Sequence, residues 1–195
     1  SRAALEVSAS MLSLSTQSAA AVLEAACRLV ALAALPLQVQ HVSDAYRGNV
    51  SKLLHMALAR PEIAVQDAAV DAIEAWKDDE QVAHAYVRRA LDTWTTLNDD
   101  MQRAAAKVMG VVPVRPEEQS ALLCACLDRQ APFSSKLRVE TRCAAAASLA
   151  RLCVQPTEVV RVLQQGLHDM TTDQRGDVGS WVRLACMDSL GHVFC

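Results

Sequence analysis

Small residues flanked by larger apolar ones recur along the chain in a nine-residue pattern, at positions 22–30, 65–73, 101–109, 141–149 and 182–190. The starts lie 43, 36, 40 and 41 residues apart. The fourth residue of every copy is alanine (Ala25, Ala68, Ala104, Ala144, Ala185), and the fifth is Ala26, Ala69, Ala105, Ala145 or Cys186. Small side chains at these points let two helices approach closely. A second helical segment precedes each copy, at residues 4–14, 43–59, 80–94, 116–128 and 156–170. Breaks fall at Pro61, Asn98-Asp99, Ser134-Ser135 and around Gly176. Pro61, Pro116 and Pro156 are read as helix starts, because the first helical turn has no intrahelical N–H bond to lose there.

A repeat of this period, each unit too small to bury its own core, predicts an all-α protein: an α-solenoid of about five antiparallel helix pairs. The pattern resembles HEAT/armadillo-like repeats, whose second helices often open with an acidic residue, then Val-Arg, then alanines. Val182-Arg183 followed by Ala185 fits well, Gln102-Arg103 and Arg142 fit more loosely, and Gln66 departs from it. Residues 1–195 are read as a single HEAT-like segment. The opening at Ser1 and the stop at Cys195 after an apolar helix suggest a stretch cut from a larger solenoid.

Composition supports the helical reading. Alanine fills 34 of the 195 positions, Gly and Pro contribute six each, and aromatic residues make up only 4%, which favours helices over strands. The net charge of -3 comes from scattered residues with no basic stripe, so nucleic acid is not an expected partner. The apolar stretch 19–37 is interrupted by Glu24 and Arg28, and no signal-peptide pattern opens the chain, so no membrane span is expected. The seven cysteines lie mostly in alanine-rich helical runs, where a thiol packs as a small apolar group. A soluble protein of a reducing compartment is the expectation.

Candidate chemistry is sparse. The five histidines (His41, His55, His84, His168, His192) are dispersed, and neither Cys-x-x-Cys nor His-Glu-x-x-His occurs, so no metal ligands are assigned. Cys124 and Cys126 diverge by about 200° on a helix and cannot clasp one ion. No Gly-x-Ser-x-Gly elbow or glycine-rich phosphate loop is present, so no catalytic residue and no cofactor is assigned. Asp78-Asp79-Glu80 and Asn98-Asp99-Asp100 fall at helix junctions and read as caps. Trp76, Trp94, Tyr46 and Tyr86 read as core between repeats.

The segment 171–183, Thr-Thr-Asp-Gln-Arg-Gly-Asp-Val-Gly-Ser-Trp-Val-Arg, stands apart by its glycines and charges. Read from the residues alone, Asp177 or Ser180 caps the last helix and Gly176 makes a tight turn. Trp181 packs into the next repeat, and Arg183 pairs with a neighbouring Asp. The same stretch, from Thr172 to Arg183 with Ala185 and Met187 following, resembles the signature of the tubulin-folding cofactor D family. The resemblance implies a HEAT-like chaperone scaffold, itself non-catalytic. Such a scaffold binds β-tubulin and assembles or dismantles the αβ heterodimer with other tubulin-folding cofactors and an Arf-like small GTPase. It further implies GTPase activation only together with those cofactors, and a cytoplasmic setting at microtubules or centrosomes. By this resemblance Asp173, Arg175, Gly176, Asp177, Gly179, Trp181 and Arg183 are the candidate partner-binding residues. A generic HEAT adaptor unrelated to tubulin is the alternative. An enzyme using the thiols is a third class, requiring an exposed cysteine of depressed pKa.

Overall fold

The computed structural model describes residues 20–34, 42–128, 131 and 136–194, and their regular structure is helical, with one isolated bridge between Asp173 and Gly176. The predicted helix over 4–14 and the break at Ser134-Ser135 lie outside the described residues. The fold class is all-α, built from helix pairs in the manner of an α-solenoid. The chain forms two compact units, Ser1–Asp92 and Thr93–Cys195.

The first unit holds α1 (Ala20–Ala34), α2 (Asp44–Leu58), α3 (Ile63–Ala75) and α4 (Ala85–Thr93), the last entered through a π-helical turn, Glu80–His84. The helices α1 and α3 carry the first two repeat copies and pack on each other, while α2 lies against both and against the π-helical turn. Ala26, Cys27 and Val30 on α1, with Ala69, Ala72 and Ile73 on α3, are buried as the pattern requires. Ser43 caps α2, its hydroxyl accepting from the Tyr46 N–H, and the Asp79 carboxylate accepts from the N–H groups of Gln81 and Val82. Pro61 is not a helix start. It sits in the turn, and α3 begins two residues later behind an extended Glu62. The buried Gln66 donates to the carbonyls of Leu58, the last residue of α2, and of Arg60 in the turn that follows, tying the end of one helix to the start of the next. Trp76 and Tyr86 are buried as predicted, while Tyr46 is half-buried with its ring 6.2 Å from that of Trp76.

The second unit holds α5 (Asp99–Val111), α6 (Pro116–Leu127), α7 (Val139–Leu152), α8 (Pro156–Gly166) and α9 (Gly179–Phe194). Repeat copies three to five lie on α5, α7 and α9, and α7 packs between the other two. The preceding helices α6 and α8 form the second layer, α6 against α7 and α8 against α9. Pro116 and Pro156 occupy the first turn of α6 and α8. Asn98 caps α5 through the Met101 N–H, and Trp94 is buried. Gln119 repeats the role of Gln66: its amide donates to the carbonyls of Met109 and Val112 and accepts from the N–H groups of Val114 and Arg115.

The small residues of the repeat set how closely these helices approach. The fifth position (Ala26, Ala69, Ala105, Ala145, Cys186) is at most 2% exposed in every copy. The fourth is buried at Ala68, Ala104 and Ala144, exposed at Ala25 and half-buried at Ala185. Between α5 and α7 the Ser148 hydroxyl donates to the Ala106 carbonyl at 2.8 Å, and Gly110 lies directly beneath Ser148. A Cβ at Gly110 would stand 2.8 Å from the Ser148 Cα, a backbone atom that cannot rotate away. Gly110→Ala should therefore force the helices apart and lower the unfolding free energy by about 1–3 kcal/mol in a urea titration. A gain in stability, as the better helix propensity of Ala alone would give, would contradict this packing.

Candidate functional site

The singled-out segment runs from the end of α8 into α9, and its geometry begins with a residue that the sequence reading passed over. Asp169 is 3% exposed, and its carboxylate is met by the buried Arg142 guanidinium on α7. The Thr171 N–H donates to the Asp169 Oδ1 at 2.9 Å, and Arg142 Nη2 donates to the Thr171 hydroxyl at 3.1 Å. This fixes the Thr171 carbonyl, which accepts from the Gly179 N–H at 2.8 Å. Glycine is required at 179 because a Cβ there would stand 2.6 Å from the Asp169 carbonyl oxygen and 2.7 Å from the Thr171 nitrogen.

Between these anchors, Asp173 and Gly176 exchange backbone hydrogen bonds of 3.0 and 2.9 Å around Gln174 and Arg175. Gly176 closes the turn at φ +102°, a conformation L side chains rarely adopt. Val178 is buried and pins the return of the chain. Asp177 caps α9, its Oδ1 accepting from the Ser180 N–H at 3.2 Å, and its Oδ2 accepts from Arg183 Nη2 at 2.6 Å. Arg183 also donates to the Asp169 carbonyl, so one side chain joins both ends of the loop.

Arg175 is held more extensively. Its Nε and Nη2 donate to Asp173 Oδ2 at 3.0 and 2.8 Å, its Nη1 donates to Glu140 Oε1 on α7 at 2.7 Å, and its guanidinium lies 4.9 Å from the Trp181 ring centroid. Trp181 is 45% exposed among the described residues. It stands on the outer side of α9 under the Arg175 guanidinium. All seven candidate residues thus lie in one loop and helix start: Asp173 and Trp181 at the Arg175 guanidinium, Gly176 closing the turn, and Asp177, Gly179 and Arg183 around the start of α9. Glu140 and Asp169, the acids that tie this cluster to α7 and α8, were not recognised because their partners lie far along the chain. The one local signal was Arg142, a loose match to the repeat arginine.

Beside the loop lies a cleft of about 680 Å³, walled by Leu137, Val139 and Val178 and lined by the charged groups of Glu140, Arg142 and Arg175. The Glu140 Oε2 and Arg142 Nε are buried there without hydrogen-bond partners among the described residues. Burial pushes the Glu140 carboxyl up, but hydrogen bonds from Arg175 and its own N–H, with the charges of Arg175 and Arg138, hold it below the usual range. Asp173 is held low by the Arg175 side chain and N–H, and Asp177 chiefly by Arg183. The carboxylates here accept and the guanidiniums donate, with both arginines already fixed by acids of their own chain.

Elsewhere, no group of three or more His, Cys, Asp or Glu among the described residues is placed to hold a metal ion. Burial pushes the Cys27, Cys126 and Cys186 thiols up to about 12 and that of Cys143 up to about 11. These four are held as thiols at neutral pH, and Cys124 is shifted the same way by burial. Cys153 is exposed at the left-handed end of α7. Comparison of the chain with protein-family models, curated proteins and solved structures finds no match.

The lowered carboxyl pKa values fix the pH response of the loop. A depressed folded pKa means that the ion pairs persist above the ordinary carboxylate range and are lost as pH falls through the lowered value. The Trp181 indole N–H signal, followed by two-dimensional NMR, should stay constant from neutral pH to about pH 4 and move only below it. Movement centred near pH 6 would contradict the Arg175–Asp173–Glu140 arrangement.

Proposed function

We propose that the chain is a non-catalytic helical scaffold that binds β-tubulin and takes part in assembling or dismantling the αβ heterodimer. Its further partners in this reading are other tubulin-folding cofactors and an Arf-like small GTPase, with GTPase activation arising only in their joint complex. The resemblance of residues 172–183 to the cofactor D signature supports this reading. The observation that carries it is the exposed Trp181 beneath the Arg175 guanidinium, an aromatic of the kind that anchors interfaces, set beside a loop closed by its own hydrogen bonds and ion pairs. A helical-repeat fold suits the role, because stacked helix pairs offer an extended surface to a folded partner. Among the described residues no helix is long and apolar enough to cross a membrane, and a cytoplasmic, microtubule- or centrosome-associated setting is part of the proposal.

A generic HEAT adaptor is the second reading. It is favoured by the self-sufficiency of the loop, since Arg175 and Arg183 are both paired within the chain and need no partner to be satisfied.

Titration of the purified chain against αβ-tubulin separates the two. The tubulin reading expects saturable binding that weakens about tenfold or more on Trp181→Ala, the loss of about 1.4 kcal/mol or more that marks an interface anchor. Arg175→Glu, which removes the stacking cation, should weaken it as well. Folded wild-type protein that does not bind tubulin, or variants that bind it unchanged, would overturn the reading.

A further inference from the structure

The first unit holds an open groove between the helices that precede two consecutive repeat copies. At one end α2 packs on the π-helical turn that enters α4, and Arg47 Nε donates to Asp79 Oδ2 at 2.7 Å. Farther along, His55 meets the Tyr86 ring edge-on at 5.1 Å, so the two helices run in the same direction. Between them lies a cleft of about 590 Å³, with Gly48, Ser51 and Lys52 on the α2 wall and Gln81, Ala85 and Arg89 on the other.

The π-helical turn sets the second wall. In an unbroken α-helix, positions eight apart are turned about 80° from one another. The Ala85 N–H reaches back to the Glu80 carbonyl, which underwinds the segment and brings Gln81 into line with Arg89. The middle of the groove is left open by small residues. A Cβ at Gly48 would have nothing within 4 Å, and Ser51 and Ala85 stand beside it.

The charge of the groove is one-sided. Lys52 and Arg89 are exposed on opposite walls, and no acid lines the cleft among the described residues. The flanking cations on the same helices are matched, Arg47 by Asp79 and Asp44, and Arg88 by Glu80. Lys52 makes no ion pair among the described residues. His55 adds no charge of its own: its Nδ1 donates to the Ser51 carbonyl at 2.7 Å, and burial and the nearby Arg89 lower its pKa.

We propose that this groove takes an extended acidic segment of a partner protein. From residue 48 to residue 56 the α2 wall rises about 12 Å, the reach of about four residues of extended chain. Successive side chains of such a chain point to opposite sides, so neighbouring carboxylates meet Lys52 on one wall and Arg89 on the other. The Ser51 hydroxyl and the Gln81 carboxamide both donate and accept, as a peptide backbone between them requires. Two cations in a chain of net charge -3 form no track for a phosphate backbone, which favours a peptide over a nucleic acid. The inference is independent of whether tubulin is the partner of the signature loop.

Fluorescence anisotropy of the full chain with labelled hexaglutamate tests it, with hexaglutamine and a six-residue thymidine oligonucleotide as the other arms. Hexaglutamate should bind saturably and weaken as salt is raised, and the other two should bind at least about tenfold more weakly. Lys52→Glu should weaken hexaglutamate binding about tenfold or more, while Lys52→Arg keeps it. Gly48→Leu blocks the trough with a side chain that touches nothing in the free protein and raises helix propensity. It should abolish binding with the melting curve undiminished. Absence of hexaglutamate binding would overturn the proposal. So would equal binding of hexaglutamine or the oligonucleotide, or binding that survives Gly48→Leu or Lys52→Glu.

Discussion

A carboxylate buried where α8 ends governs how the following loop is built. An unpaired buried charge costs several kcal/mol, so Asp169 is stable only if donors converge on it. Arg142 supplies one from α7 and the Thr171 N–H another from the loop itself. Meeting that demand brings the backbone of 169–171 against the first residue of α9, which is why only glycine fits at 179. Everything downstream follows in register: the tight turn closed by Gly176, the Asp177 cap, the Arg183 clasp and the outward Trp181. The loop is thus joined to the helical layer through Arg142 and Glu140, both in the first turn of α7, and does not hang from α9 alone.

Most of the fold was legible in the sequence because helix burial has a short period. All five alanine-centred copies lie on α1, α3, α5, α7 and α9, and the four described partner segments fall on the helices between them. Asn98 and Asp79 are caps, and Pro116 and Pro156 open helices, since these are local backbone demands readable within four residues. What escaped notice depends on distant contacts. Gln66 looked like a departure from the repeat, yet it and Gln119 do the same work of closing a helix pair through buried amides. Asp169 and Glu140 meet their arginines from 27 and 35 residues away, so no window of sequence shows the pair. Trp181 was read as packing into the next repeat, and its place beneath the Arg175 guanidinium was not foreseen. Its exposure follows from Val178, Val182 and Cys186 taking the inner side of that turn.

Each charged residue of the signature has a partner within the chain, which separates two duties that one motif could combine. Asp173, Asp177, Gly176 and Gly179 shape the loop, and Arg175 and Arg183 lock it. What remains outward is the face of Trp181 beneath Arg175, and farther along α9 the stripe of Leu184, Met187 and Phe194. Recognition on such a surface is a matter of apolar contact on a pre-ordered frame, with the buried thiols serving as packing groups. That division fits a scaffold whose partner is a folded protein, the role proposed for it with β-tubulin.

The dependence of the whole loop on one buried acid is most directly tested by amide hydrogen exchange in Asp169→Asn, compared with wild type at neutral pH. The account predicts that the Thr171 and Gly179 amides lose protection together, with Trp181 becoming mobile, while the amides of α5 and α6 keep theirs. Unchanged protection at Thr171 and Gly179 in a folded variant would show that the loop is held by something other than Asp169, and would contradict it.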